Sequence, residues 1–236
     1  MVGSLINGVL IILGGAIGLL IKKGLKDEMK EILIDILGVI LLIVGIVGII
    51  PTMLHIEDGK LVEEGLLLLI LSLIIGTFIG QLIDIDKYLN KFGLFIERKI
   101  NKPGFSKGFI TGSIFFCVGA MAIVGSITEG LTGDYSILVS KSFIDFVTAI
   151  IFGSTLGFGV MFAAIPIIIY EGALTLLASV LSPYITSQLT NDICMVGYAI
   201  IFCIGINFLD IKKIKTANMI PALLVPIVWY LISMLF

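Results

Sequence analysis

The run Ser142–Asn191, SFIDFVTAIIFGSTLGFGVMFAAIPIIIYEGALTLLASVLSPYITSQLTN, holds 50 residues and only two charges, Asp145 and Glu171. A hydrocarbon core of about 30 Å takes about 20 apolar residues per helical pass. The run is therefore too long for one crossing and suited to two, and it places both acids within or at the edge of hydrocarbon. Each such charge costs on the order of 2.5–3.5 kcal/mol on insertion scales, and residues of this kind face a bundle interior or a water-filled path. The expectation is an integral membrane protein with a polar site at these two acids.

Composition agrees. The chain of 236 residues is 58% apolar and 14% charged, with a mean hydropathy of +1.20, whereas soluble domains are about 25% charged. A net charge of −2 does not by itself speak to nucleic acid, and no nucleic-acid partner is expected. Cys117, Cys194 and Cys203 all lie in apolar runs, no CxxC pair occurs, and His55 is the single histidine. Neither a disulfide framework nor a zinc site follows from that set, so no metal or cofactor is expected. Met1 to Ile21 has no basic segment before it and is followed by Lys22 and Lys23, which reads as a retained helix and not a cleaved signal.

Charge-free runs mark the spans at 1–21, 36–54, 65–83, 108–128, 146–170, 172–191, 193–209 and 216–236. Trimmed for turns, they predict eight helices, with a turn at Gly157 and Gly159 between the fifth and sixth and Pro183 ending the sixth. Basic residues set orientation, since loops rich in Lys and Arg stay cytoplasmic. Of the 15, 13 fall in the first, third and seventh loops; only Lys60 and Lys141 do not. Eight spans with both termini outside, in a bacterial inner membrane, fit that distribution. In the third loop, Ile85, Leu89, Phe92 and Ile96 recur at helical spacing among charged residues. This is the pattern of a cytoplasmic interfacial amphipathic helix, or of a helical extension packed on the bundle.

Weak internal similarity is present. Gly8 to Gly15 recurs as Gly112 to Gly119, and Glu64-Gly65 with Ser72 as Glu171-Gly172 with Ser179. Within a single transmembrane domain, 1–236, residues 1–83 and 108–191 would then be repeats and 192–236 a C-terminal helix pair. Three spans per repeat would make the copies inverted, as in many secondary transporters; coincidence among frequent membrane glycines is the other account.

Chemistry concentrates on the fifth and sixth spans. Lys141 and Asp145 are four apart and so share a helix face, on which Ser142, Thr148 and Thr155 also fall. The stripe either lines a pathway or is a neutralised pair near the interface with hydroxyls bonded to backbone. Glu171 sits between Pro166 and Gly172, where a helix break would free backbone groups beside an acid; a cation or substrate site and an acid locking two helices both remain open. On the fourth span, Cys117, Gly119, Ala120, Ala122, Gly125 and Ser126 permit close backbone approach. Thr128 to Asp134, with Glu129, reads as a turn-rich outer loop. Asn7 and Asn207 are amides suited to bonding across helices. No GxxxxGK[ST] or HExxH motif occurs, and no loop exceeds about 25 residues, too short for a soluble catalytic domain of ordinary size.

The runs FCVGAMAIVGSITEGLTGD (Phe116 to Asp134), KSFID (Lys141 to Asp145), FGSTLGFGV (Phe152 to Val160), YEG (Tyr170 to Gly172) and GINFLDIKKIK (Gly205 to Lys215) resemble the YdfK/YqgA-like family. These are uncharacterised bacterial inner-membrane proteins sharing a domain of unknown function, number 554. The resemblance covers essentially the whole chain and implies a multi-spanning protein loosely described as a transporter. It implies Gln where Glu171 stands, a departure that puts a proton-carrying role for Glu171 in doubt as a family mechanism.

The fold expected is an all-α polytopic bundle of about eight helices. The function expected is a secondary transporter or exporter of a small polar solute or ion, not an enzyme, bound to Asp145, Glu171, Lys141, Ser142, Cys117, Gly119, Ser126 and Asn207. A passive channel and a non-transporting regulatory protein are the rival classes. Its partners would be the lipid bilayer, the solute, and further copies of itself as a homo-oligomer.

Overall fold

The computed structural model describes residues 1–24, 26–57, 59–100, 104–117, 120–181 and 185–233. They form two compact units that interleave in sequence. One comprises Met1–Ile34 and Leu89–Ile185, the other Asp35–Tyr88 and Thr186–Phe236.

The chain begins with α1 (Val2–Gly24) and α2 (Asp27–Met53), followed by the strands β1 (Leu54–Glu57) and β2 (Lys60–Glu63). Next come α3 (Leu66–Ile83), α4 (Ile85–Ile100), α5 (Phe105–Cys117), α6 (Ala120–Thr132), α7 (Ser136–Leu156) and α8 (Gly159–Phe162). It ends with α9 (Ala164–Leu176), α10 (Ala178–Leu181), α11 (Ser187–Phe208), a 3-10 helix (Thr216–Leu224) and α12 (Val225–Ser233). The protein is thus a membrane helix bundle, as its composition requires. The short antiparallel hairpin, pairing Leu54 with Glu63 and Ile56 with Leu61, is an addition that a reading of hydrophobic runs does not reach. Among the described residues seven helical segments are long and apolar enough to cross a membrane, and α5 with α6 make an eighth, bent by 62°.

In the first unit, close contacts at glycines fix the relative directions of the helices. Gly3 lies against Leu138, Gly14 against Phe146 and Ala149, and Gly153 against Gly15. Lys22 Nζ donates to the Thr155 carbonyl at 2.9 Å. Helices α1 and α7 therefore run in the same direction along their whole length. Gly159 abuts Phe105 near the start of α5, Gly112 abuts Ala163, and Gly130 on α6 abuts Thr175 and Ala178. The pair α5–α6 climbs the full height of α8–α9–α10 and parallel to it. Two helices that run the same way are separated by an odd number of crossings, and α2, α3 and the bent pair counted as one span make three between α1 and α7, eight in all.

The close approach of α1 and α7 depends on missing side chains. A Cβ on Gly153 would lie 2.6 Å from the Gly15 carbonyl oxygen, well inside van der Waals contact. Without a hydrophobic driving force between helices in lipid, such small-residue seams let backbone surfaces meet. Lys22 at the end of α7 also complements the negative end of that helix.

Not every boundary follows the charge-free runs. The fifth span begins at Ser136, not 146, because Lys141 and Asp145 neutralise each other inside it. The turn after Leu156 is where Gly157 and Gly159 place it, with Gly157 at φ 87°, a left-handed conformation that glycine adopts freely. The last span opens as a 3-10 helix of nine residues, longer than the usual three or four. Pro221 and Pro226 each remove a backbone donor there, so a continuous α ladder is not available. Pro183 lies outside the described residues.

The second unit packs by the same rule. Gly38, Gly45 and Gly48 of α2 meet Phe208, Phe202 and Tyr198 of α11, and Gly76 and Gly80 of α3 meet Ala222 and Asn218 of the 3-10 helix. Asn218 is fully buried; its Nδ2 donates to Gln81 at 3.0 Å and its Oδ1 accepts the Asp86 N–H at 2.6 Å. Helix α4 spans the amphipathic segment of the third loop; the side chains of Leu89, Phe92 and Ile96 lie outside the described residues.

Candidate functional site

Glu171 lies at the middle of an unbroken helix. The expected break between Pro166 and Gly172 does not occur, since α9 runs from Ala164 through both. Pro166 is the third residue of that helix, where a backbone N–H has no intrahelical partner in any case, so the proline removes nothing. The break falls on the fourth crossing instead, between Cys117 and Ala120.

That break and the two acids meet at Lys141. Its ammonium donates to the Phe116 carbonyl at the end of α5 at 2.9 Å, pairs with Asp145 one turn along α7, and lies 3.4 Å from Glu171 Oε1. Three oxygens thus surround an ammonium that has three N–H groups. Asn7 of α1 donates from Nδ2 to Glu171 Oε1 at 2.9 Å, across 164 residues of sequence, and also reaches the Asp145 carboxylate. Lys141 and Asp145 are 5% and 4% exposed, and Glu171 and Asn7 are 0% exposed. Asp145 is nine residues into α7, about 14 Å along the axis at 1.5 Å per residue. These charges therefore sit inside the bundle and not at its rim.

Two carboxylates and one ammonium give a formal charge of −1. Glu171 Oε2 and Asn7 Oδ1 are enclosed with no hydrogen-bond partner among the described residues. An enclosed charge is tolerated when it is paired and fully hydrogen-bonded; here Lys141 meets that condition and Glu171 does not.

The other expected residues divide. Cys117, half-buried at the end of α5, has Lys141, Glu171 and Asp145 as its electrostatic neighbours. Ser142 is buried, and its hydroxyl donates to the Leu138 carbonyl of its own helix at 2.6 Å. Thr148 and Thr155 likewise return to the carbonyls of Ile144 and Ile151. The polar stripe on α7 is therefore chemistry only at Lys141 and Asp145. Ser126 is fully buried, with its Oγ unpartnered among the described residues. Gly119 lies outside them. Asn207 does not belong to this cluster: it is in the second unit and spends its amide on Ile214, donating to that carbonyl at 2.8 Å and accepting that N–H at 2.7 Å. A side chain next to a helix end satisfies the local backbone first.

One acid is misplaced by the reading of Thr128 to Asp134 as a loop. Glu129 is on α6, 6% exposed, accepting the Gly3 N–H at 3.0 Å and lying 2.8 Å from the Met1 amino group. Thr175 of α9 reaches its Oε2 at 3.5 Å and the Glu171 carbonyl at 2.9 Å. The available signal was Ser126 and Gly130, four apart, which continue the small-residue face of the helix past Glu129. The turn begins after Thr132, where Asp134 accepts the Ser136 N–H at 2.9 Å, a bond that holds its carboxyl below the usual range.

Fold and cluster together define a multi-spanning helical membrane protein with an ionisable group of side chains enclosed in one of its two units. The chain belongs to the family described as "Protein of unknown function (DUF554)", whose model matches residues 2–231. It is 36% identical over 226 residues to the "Uncharacterized membrane protein YdfK" of Bacillus subtilis (strain 168), covering 96% of this chain and 94% of that one. It is 30% identical over 230 residues to the "Uncharacterized protein YqgA" of Escherichia coli (strain K12), covering 94% and 93%. No solved structure matches it.

Proposed function

We propose that the protein is a secondary transporter or exporter of a small polar solute or ion, and not an enzyme. It would be set in the bacterial inner membrane with both termini outside, with Asn7, Lys141, Asp145 and Glu171 as its site. One observation carries this reading: one oxygen of the Glu171 carboxylate and the amide oxygen of Asn7 are enclosed with no donor among the described residues, beside an ion pair, on helices that flank a broken crossing. Desolvating ions costs several kcal/mol each, a cost best explained by a group that exchanges partners. Broken helices beside buried polar side chains are how transporter sites commonly present themselves.

The experiment is solute counterflow in proteoliposomes holding the purified chain, against a panel of ions and metabolites. Exchange without unitary current supports the carrier. Unitary currents in a planar bilayer would replace it with a channel. A second reading, that the cluster only locks α1, α5, α7 and α9 together, draws on Lys141 having an oxygen for each of its N–H groups. Absence of flux across the panel, from protein shown to be folded, would favour that lock.

A further inference from the structure

The two oxygens left over at the cluster are both acceptors, and they belong to side chains that already face each other. Asn7 Nδ2 donates to Glu171 Oε1 at 2.9 Å, while Asn7 Oδ1 and Glu171 Oε2 have no donor among the described residues. An amide and a carboxylic acid satisfy one another through two bonds, amide N–H to carboxyl oxygen and carboxyl O–H to amide oxygen. Half of that pair is present. Lys141 cannot complete it, because its N–H groups are directed at Phe116, Asp145 and Glu171 Oε1.

A single hydrogen on Glu171 Oε2 is the smallest change that completes the pair. It supplies the donor that Asn7 Oδ1 lacks, removes the need for one at Oε2, and brings the formal charge of Lys141, Asp145 and Glu171 from −1 to zero. The same two oxygens, with the hydrogen gone, are hard ligands for a small cation of single charge, which also brings the sum to zero. A doubly charged ion would leave an uncompensated charge in a low-dielectric interior. An anion finds neither a free donor nor a favourable sign of charge.

Taking the cluster as a transport site, we infer that it exchanges a proton for a monovalent cation, one for one. In one state Glu171 carries the proton on Oε2 and donates it to Asn7 Oδ1. In the other, the O–H bond breaks, the proton leaves to water, and the carboxylate with Asn7 Oδ1 holds the cation. Charge is conserved at each step, and Asp145 stays paired with Lys141 throughout. The groups facing Glu171 from the elements packed on α9 are Lys141 and Asp145 of α7, Cys117 of α5, Asn7 of α1, and Glu129 of α6 through Thr175. Among these, the amide oxygen of Asn7 is the acceptor left open.

The test is proton release by the purified full chain in weakly buffered detergent with a pH indicator, on addition of lithium, sodium or potassium chloride, with choline chloride as the control. Release that saturates at a single proton per chain with an alkali ion, and not with choline, is expected. Glu171→Gln, whose amide supplies the donor permanently, should release none while melting at the parent temperature. In proteoliposomes an alkali-ion gradient should move protons the opposite way without net current. No release by any alkali ion from folded protein, or the same release from E171Q, overturns the exchange. Counterflow of another solute with no proton movement would overturn the exchange and leave the transporter reading standing. Proton release from the protein in detergent with no flux in vesicles would retain the cation–proton site and remove transport.

Discussion

The ammonium of Lys141 lies 2.9 Å from the carbonyl oxygen of Phe116, so the side chain that neutralises Asp145 also closes the open end of α5. Charge balance and helix-end satisfaction are therefore the work of the same atom. A backbone carbonyl at membrane depth with no N–H partner must find a donor within the protein.

Replacing Lys141 with Met should thus be more damaging than loss of an ordinary ion pair. It leaves two enclosed carboxylates and an open carbonyl, and about 3–5 kcal/mol is expected from breaking a buried pair on one side. Adding Asp145→Asn should recover part of the loss, which a double-mutant cycle on unfolding in detergent will measure. A K141M chain as stable as the parent would contradict the burial of the pair.

Asn7 is predicted to matter mainly through Glu171, with a smaller part through Asp145. Asn7→Leu removes the amide donor to Oε1 and leaves that enclosed oxygen with the longer Lys141 contact alone, at a cost of about 1–3 kcal/mol. In a Glu171→Leu background the same substitution should cost less than half of that. Equal costs in both backgrounds would mean that Asn7 acts by packing alone.

The seam between α1 and α7 leaves no room at Gly153. A valine there must displace the Gly15 backbone, and overpacking costs of about 1–3 kcal/mol or more follow. Gly153→Val should lower the melting temperature and the monodisperse fraction. Gly24, where a Cβ would have no neighbour within 4 Å, is the control, and Gly24→Val should leave the seam unaffected.

Orientation has its own check. In a chain with Cys117, Cys194 and Cys203 replaced by Ala, a cysteine at Lys60 should react with a membrane-impermeant maleimide on intact cells. Cysteines at Lys91 or Lys213 should react only after permeabilisation. The reverse pattern would invert the topology while leaving the bundle intact.

The parallel run of α1 and α7, and of α5–α6 with α8–α9–α10, bears on how far the chain could be read in advance. Span number and order follow from hydropathy, because transfer of each residue into hydrocarbon depends mainly on that residue. The turn at Gly157 was legible for a similar reason, since glycine's missing Cβ is a local property. Pro166 shows where local reading stops: its effect depends on whether it is the third residue of a helix or the eighth, and that depends on where the preceding turn ends. Asn207 shows the same limit, because an amide near a helix end can serve its own loop or a neighbouring helix.

Residues 1–236 by themselves thus determined a polytopic helical membrane protein, and singled out Lys141, Asp145 and Glu171 by the cost of placing charge in lipid. Only tertiary packing decided that Asn7 joins them, that Glu129 is enclosed, that Asn207 is not part of the group, and that the break lies beside Cys117. The physical reason is range. Hydration energies add residue by residue along the chain, whereas hydrogen bonds and ion pairs act over about 3–4 Å between groups that the sequence separates by as many as 164 positions.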